Sequence, residues 1–318
     1  MPAFTSSAPG KIILFGEHAV VYGRPAIAVP VEQVQARAIV SADPRGVSGA
    51  VKIQAPDIGL DCLLSDLPNE NPLRLAIELV SQELNVSHLP ACTVRITSTI
   101  PLAAGLGSGA AVSVALIRAL SAFLGKPLTL ERVSAQAYEV EKIYHGKPSG
   151  IDNTVVTFAQ PVYFARGQPI KILRPLKSFT ILIADSGIFS PTAVMVGEVN
   201  KAWKFELARF EQLFDSIAVV TEAALSAIEN GEISTLGLLM NENQGYLERM
   251  GVSWPELDKL IENARTAGAL GAKLSGAGGG GNMIALVDPV RAAHIAQELL
   301  DGGAIRVIMT TIHAVIGD

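Results

Sequence analysis

The chain has 318 residues, 49% of them hydrophobic, and a formal net charge of −5. That apolar share, over a length beyond the usual single domain, excludes a disordered or fibrous chain and points to two domains. The acidic balance excludes general affinity for nucleic acid or an anionic membrane, so any phosphate must be bound locally, by aimed N–H groups and a few cations.

The N-terminal stretch MPAFTSSAPGKIILFGEH lacks the basic region and continuous apolar run of a signal peptide, which points to the cytoplasm. KIILFG (11–16) and RPAIAVPV (24–31) read as short apolar strands bounded by Gly and Pro, and VEQVQARAIV (31–40) alternates as a further strand. Residues 72–85 read as a helix, and CTVRITSTI (92–100) alternates again. PLAAGLGSGAAVSVALIRAL (101–120) is apolar enough to suggest a membrane span. Arg118 and the alternating Gly105, Gly107 and Gly109 exclude it. The segment divides instead into a loop through Gly109 and a buried helix from Ala110 to about Phe123.

A helix at 129–145 stops at Gly146 before Pro148. FTILIADS (179–186) is a buried strand, and amphipathic helices follow from about 191 to 268. KLSGAGGGGNMIALV (273–287) reads as two strands around a glycine loop, with a helix near 289–301 and a last strand, AIRVIMTTI. The weakest stretch for regular structure is RGQPIKILRPLKS, which sets a boundary near 175 and domains of 1–175 and 176–318. Cys62 and Cys92 match no zinc spacing and read as two buried small hydrophobes.

Four stretches carry chemistry. GLGSG (105–109) follows a strand and opens a helix, where unpaired N–H groups and the dipole attract phosphate; the same pattern also suits a plain tight turn. It matches neither the P-loop nor the dinucleotide fingerprint, and its preceding strand belongs to no evident βαβ unit. SGAGGGGN (275–282) has more glycine than a hairpin needs, which points to close backbone approach to a ligand. In EKIYHGKPSGIDN (141–153), Glu141 opposes the dipole of its helix, and Asp152 sits in a turn, where an aspartate either caps backbone or does chemistry. In APGKIILFGEHAVVYG (8–23), Lys11 on an apolar strand requires solvent or a carboxylate.

PGKIILFGEHAVVYGRPAIAVPV, PLAAGLGSGAA, HGKPSGIDNTVVT and KLSGAGGGG together resemble the ordered signature motifs of the GHMP kinases. The GEHAVVYG and HGxPSGxDN forms are those of the branch acting on mevalonate. The motifs cover about 60 residues but span nearly the whole chain. The resemblance implies a two-domain α/β (α+β) fold: an N-terminal domain with the phosphate loop, a C-terminal ferredoxin-like domain, and an active site between them. It implies transfer of the γ-phosphoryl of ATP, with Mg2+, to the 5-hydroxyl of mevalonate. Asp152 matches the family's catalytic base and Lys11 the lysine that pairs with it. Pro101, Ala104, Gly105, Leu106, Gly107, Ser108, Gly109 and Ala110 would hold ATP. Glu141 and Ser108 would be the metal ligands. Glu17, His18, Ser149, Gly150, Gly278 and Gly279 would bind substrate. A homodimer is compatible with the apolar composition.

The family's usual GLGSSAA is GLGSGAA here: Gly109 replaces the serine that binds magnesium, and weaker metal affinity is expected. The family's STxGG after the aspartate becomes Thr157-Phe158-Ala159-Gln160. The alternatives are another GHMP activity, on phosphomevalonate or on the 3-hydroxyl of mevalonate, and an ATP-binding sensor without catalysis. Retention of Lys11, Glu141 and Asp152 disfavours the sensor.

Overall fold

The computed structural model describes residues 3–101, 104–145 and 148–314. By internal contacts the chain forms two compact units: Met1–Lys11, Val34–Leu102 and Gly107–Ala159 in the first, Ile12–Gln33, Ala103–Leu106 and Gln160–Asp318 in the second. Two long strands, β1 (Ala3–Phe15) and β2 (Ala26–Ala42), have residues in both.

In the first unit β3 (Val51–Ala55) and β4 (Leu60–Leu63) form an antiparallel pair. β3 also runs parallel to β5 (Cys92–Ser98), which pairs antiparallel with Ala36–Ala42 of β2. α1 (Pro72–Glu83) lies in the connection between the two parallel strands, so the strand before the glycine loop does belong to a β–α–β crossover, contrary to the sequence expectation. α1 starts where Asn71 accepts from the Leu73 N–H at 2.9 Å, and it buries Leu73, Ala76, Ile77 and Val80 at helical spacing. α2 (Ser108–Phe123), α3 (Leu130–His145) and α4 (Ile151–Phe158) pack on α1 and on one another.

α4 corrects the expectation that Asp152 lies in a turn: it stands in the first turn of an eight-residue helix. The Arg118 guanidinium donates to the Thr157 carbonyl at the far end of that helix, and Asn153 Nδ2 donates to Ser134 Oγ on α3 at 2.9 Å. Those two tertiary bonds hold a helix whose β-branched residues would not form it alone. The strands expected at 24–31 and 31–40 are one, because β2 runs unbroken through Pro30. Of the two cysteines Cys92 is buried, its thiol pushed up to about 11 by desolvation, while Cys62 on β4 is half-exposed.

In the second unit β6 (Val162–Phe164) joins Ala26–Ala28 of β2 and pairs with the two-residue β7 (Lys171–Ile172), which lies inside the stretch that read as irregular. β8 (Phe179–Asp185) leads into α5 (Thr192–Phe205), α6 (Leu207–Asn230), α7 (Ile233–Met250) and α8 (Pro255–Thr266). β9 (Gly271–Ser275), β10 (Asn282–Val287), α9 (Ala292–Asp301) and β11 (Arg306–Ile312) complete it. The sheet order β11-β8-β10-β9, all antiparallel, is the ferredoxin-like β-α-β-β-α-β arrangement. Among the described residues no helix is long and apolar enough to cross a membrane.

α7 lies against β9 through a glycine pair: a Cβ on Gly271 would collide with the Gly237 carbonyl, and one on Gly237 with Leu270. Gly271→Ala therefore overpacks this contact and should lower stability by about 1–3 kcal/mol, read as a lower urea midpoint at unchanged m-value.

Candidate active site

In the first unit the apolar strand β1 delivers Lys11 into a buried position, where only 5% of the residue is exposed. Its Nζ lies 3.1 Å from Asp152 Oδ1, so the carboxylate that a buried lysine requires is supplied by α4. Asp152 keeps a quarter of its side chain open, so it can meet both the lysine and an incoming group. A negative charge in the first turn of a helix is also favoured by the dipole. Glu141, on α3, is 2% exposed; desolvation pushes its pKa up to about 8, the charge of Asp152 adds to the rise, and Lys11 opposes it. Among the described residues, Glu141 and Asp152 thus lie within each other's field and that of Lys11.

The same unit holds the start of α2. Gly107 caps it in the left-handed region (φ 72°) with no side chain bonded to the first turn, which leaves backbone N–H groups for an anion. A Cβ at Gly107 would lie 2.8 Å from Lys11 Cγ, so glycine serves both the backbone turn and the lysine's path. The helix begins at Ser108, not at Ala110 as expected. Ser108 and Gly109 are half-buried, and Ala110 is buried in the first turn. Pro101 is half-buried, whereas Leu102 and Ala103 of this loop, and Gly146 and Lys147 of the aspartate motif, lie outside the described residues. Ser149 and Gly150 form the entry to α4, with the Ile151 N–H 3.4 Å from Ser149 Oγ.

The second unit carries the other set. Glu17 is 1% exposed; it pairs with Lys273 Nζ through Oε1 and accepts from Asn243 Nδ2 at 3.2 Å through Oε2. Lys273 is fully buried on β9 and donates also to the Leu274 carbonyl at 2.6 Å; burial pulls its pKa down against the restoring pull of Glu17. His18 is 5% exposed, with Nε2 2.9 Å from the Ala277 carbonyl in the glycine loop and Nδ1 buried without a partner among the described residues. Desolvation lowers its pKa to about 4, with the Ala277 bond opposing. The proton of the neutral ring therefore belongs on Nε2, and Nδ1 is an acceptor.

In the glycine loop, the space that side chains at Gly278, Gly279 and Gly280 would need is filled by Val252, Met195, Ser190 and Ile188. The Gly279 N–H donates to the Val252 carbonyl at 2.8 Å, and Ser190 Oγ donates to the Gly278 carbonyl at 2.8 Å. At these three glycines the backbone lies close against the protein's own residues. Ala104 and Leu106 are buried, Gly105 is exposed, and the Asn282 amide at the head of β10 donates to the Ala104 carbonyl.

Sequence reasoning missed Lys273, Asn243 and Asn282. Lys273 carried the same signal as Lys11, a single cation in an apolar strand, whereas Asn243 is one polar residue among several on its helix.

Residues 71–160 match the model for the GHMP kinases N terminal domain, and residues 224–304 that for the GHMP kinases C terminal. A mevalonate kinase of Thermococcus onnurineus is 37% identical, covering 94% of this chain and 93% of its own. The chain belongs to the GHMP kinase family. Two solved structures are similar along nearly their whole length. The L. major mevalonate kinase in complex with R-mevalonate has a TM-score of 0.82 and 30% identity, covering 98% of this chain and 97% of that one. The Methanococcus jannaschii mevalonate kinase has a TM-score of 0.83 and 27% identity, covering 99% of each.

The His18 environment sets an acid limit. Its folded pKa, about 4, lies below the ordinary 6.5, so between those values the unfolded chain binds the proton and the folded one does not. Stability is complete above pH 6.5 and falls as pH drops towards 4, by on the order of 3 kcal/mol for this group. Urea titrations at a series of pH values should show that loss in the wild type and less of it in His18→Gln.

Proposed function

We infer that the protein transfers the γ-phosphoryl group of ATP to the 5-hydroxyl of (R)-mevalonate, giving 5-phosphomevalonate and ADP. The observation that carries this reading is the 3.1 Å pair between Lys11 and Asp152, with Asp152 still partly open, in a chain so similar to mevalonate kinases. Asp152 takes the proton of the 5-hydroxyl as the oxygen attacks the γ-phosphorus, and Lys11 steadies the charge on both sides of the transfer. The first-turn N–H groups of Ser108, Gly109 and Ala110 hold the ATP phosphates, with no side chain in their way.

The donor set fits a hard cation: Glu141 is a buried carboxylate that offers oxygen, and Ser108 offers a hydroxyl at the helix start. Glu141 and Ser108 would hold Mg2+, which when bound neutralises charge on the phosphates. Ser149, at the entry to α4 beside Asp152, contributes to the mevalonate site.

Purified protein given ATP, Mg2+ and mevalonate should release ADP in a mevalonate-dependent way, with phosphorus NMR placing the phosphate on the 5-oxygen. Asp152→Asn should reduce kcat by about 100-fold or more, the scale of a lost general base, without abolishing ATP binding. Turnover on another alcohol, with none on mevalonate, would overturn the substrate assignment. At Gly109, Gly109→Ser restores a hydroxyl at the family's metal-binding position. A magnesium titration of kcat should then saturate at a concentration several-fold lower than in the wild type, while an unchanged midpoint would mean the hydroxyl is not a ligand here.

A further inference from the structure

Arg118 is the one charged residue of α2, a helix whose other side chains are small or apolar and mostly buried. It is itself half-buried, and desolvation pulls its pKa below the ordinary arginine value, though a guanidinium keeps its charge. A cation in such a place ordinarily takes a carboxylate. Among the described residues Arg118 takes two backbone carbonyls instead. One terminal nitrogen donates to Thr157 in the last turn of α4, and the other reaches the Ser7 carbonyl on β1 at 3.5 Å. The side chain thus links the helix behind the glycine loop to the two elements that carry Asp152 and Lys11.

The far end of α4 needs that help. The last four carbonyls of a helix have no partner within it. Here the Ala159 N–H takes the Val155 carbonyl at 2.9 Å, and Arg118 takes that of Thr157. Ala159, which caps the helix, sits at φ 50° and ψ 37°, in the left-handed region where a Cβ is strained and glycine is the usual choice. A helix of eight residues has too few hydrogen bonds of its own to hold a strained cap, so the hold comes from outside. At the other end, the Lys11–Asp152 pair and the Asn153–Ser134 bond both grip the first turn. Those ties alone leave the helix free to pivot about that end. Arg118 adds a tie to β1 about 7.5 Å further along the axis, and two separated points fix its direction.

We propose that Arg118 is a positioning residue: by joining the Thr157 and Ser7 carbonyls it holds α4 against the strain at Ala159, and so aims Asp152 at the hydroxyl whose proton it takes. This rests on the reading of Asp152 as the base given above. Arg118 stands about 15 Å along α2 from Ser108, so its loss should reach the proton acceptor and spare the ATP-binding turn.

The test uses the full-length protein with ATP, Mg2+ and mevalonate, and circular dichroism checks each fold. Arg118→Met keeps the apolar stem and loses the donors. It should lower kcat about tenfold or more, within what an ångström of misplacement costs, and leave the KM for ATP within about twofold. Arg118→Lys, which keeps one donor group and carries the comparison if the methionine variant does not fold, should lose about threefold. Ala159→Gly alone should stay within about twofold of wild type. Added to Arg118→Met, it should recover most of the lost kcat, because glycine caps without strain. In an Asp152→Asn background Arg118→Met should cost nothing further. Hydrogen exchange of the α4 amides should speed up in Arg118→Met and slow again with Ala159→Gly, whatever the substrate. Unchanged kcat in the folded variants, no rescue by Ala159→Gly, a full further loss in the Asp152→Asn background, or unchanged α4 exchange each overturns the proposal. If wild type leaves mevalonate untouched, or Asp152→Asn keeps wild-type kcat, the functional reading falls and takes the aiming of Asp152 with it, while the exchange data still decide whether Arg118 holds α4.

Discussion

An ammonium group carried into the interior on a β-strand must meet a carboxylate there, because an unpaired charge in a dry core costs more than most folds can spare. This protein meets that requirement twice. Lys11 on β1 finds Asp152 in the first turn of α4, and Lys273 on β9 finds Glu17 in the turn after β1. Each pair fixes an element that the chain could not otherwise hold in place: a short helix rich in β-branched residues in one unit, a strained turn in the other. The two pairs differ in exposure, and the difference separates their work. Asp152 keeps an open side and can exchange a proton, whereas the Glu17 pair is sealed and can only hold.

Around the open pair, the local field runs against the overall charge. The chain is net negative, yet the first turn of α2 presents backbone N–H groups with no side chain in the way, and Lys11 passes directly beneath Gly107. Anion binding at such a place needs no basic surface, because the partial charges are fixed in the backbone and work at short range in a partly desolvated setting. Glu141 is the counterweight. Its raised pKa records first its burial and then the charge of Asp152 beside it.

Much of this was legible in the sequence, and the failures have physical causes. The long helices and the β9–β10 hairpin follow from periodicity and glycine punctuation. Proline ordinarily breaks a strand, yet β2 runs through Pro30, which falls between the stretches that pair with β6 and β5. β3 and β4 are too short for alternation to stand out from noise, and with them went the parallel crossover. α4 is made by tertiary bonds from Arg118 and Ser134, which no local pattern encodes. Among the candidate site residues, Lys11 and Glu141 are visible as charges in the wrong company, whereas Asp152 and His18 are marked by the family motifs. Lys273 meets the same criterion as Lys11, a lone cation in an apolar strand, beside the glycine loop.

The bond between Glu17 and Lys273 joins residues 256 apart in the chain. Residue 17 leaves the ribosome early, and its partner arrives only when most of the protein has been made. Until then the turn at His18 has no clamp and the glutamate no counter-charge, so an emerging or truncated chain has no reason to hold that conformation. Contacts of such long range also bear the full entropic cost of closing the loop between them, which places them late in folding. The fixed turn at His18 is thus a property of the finished chain.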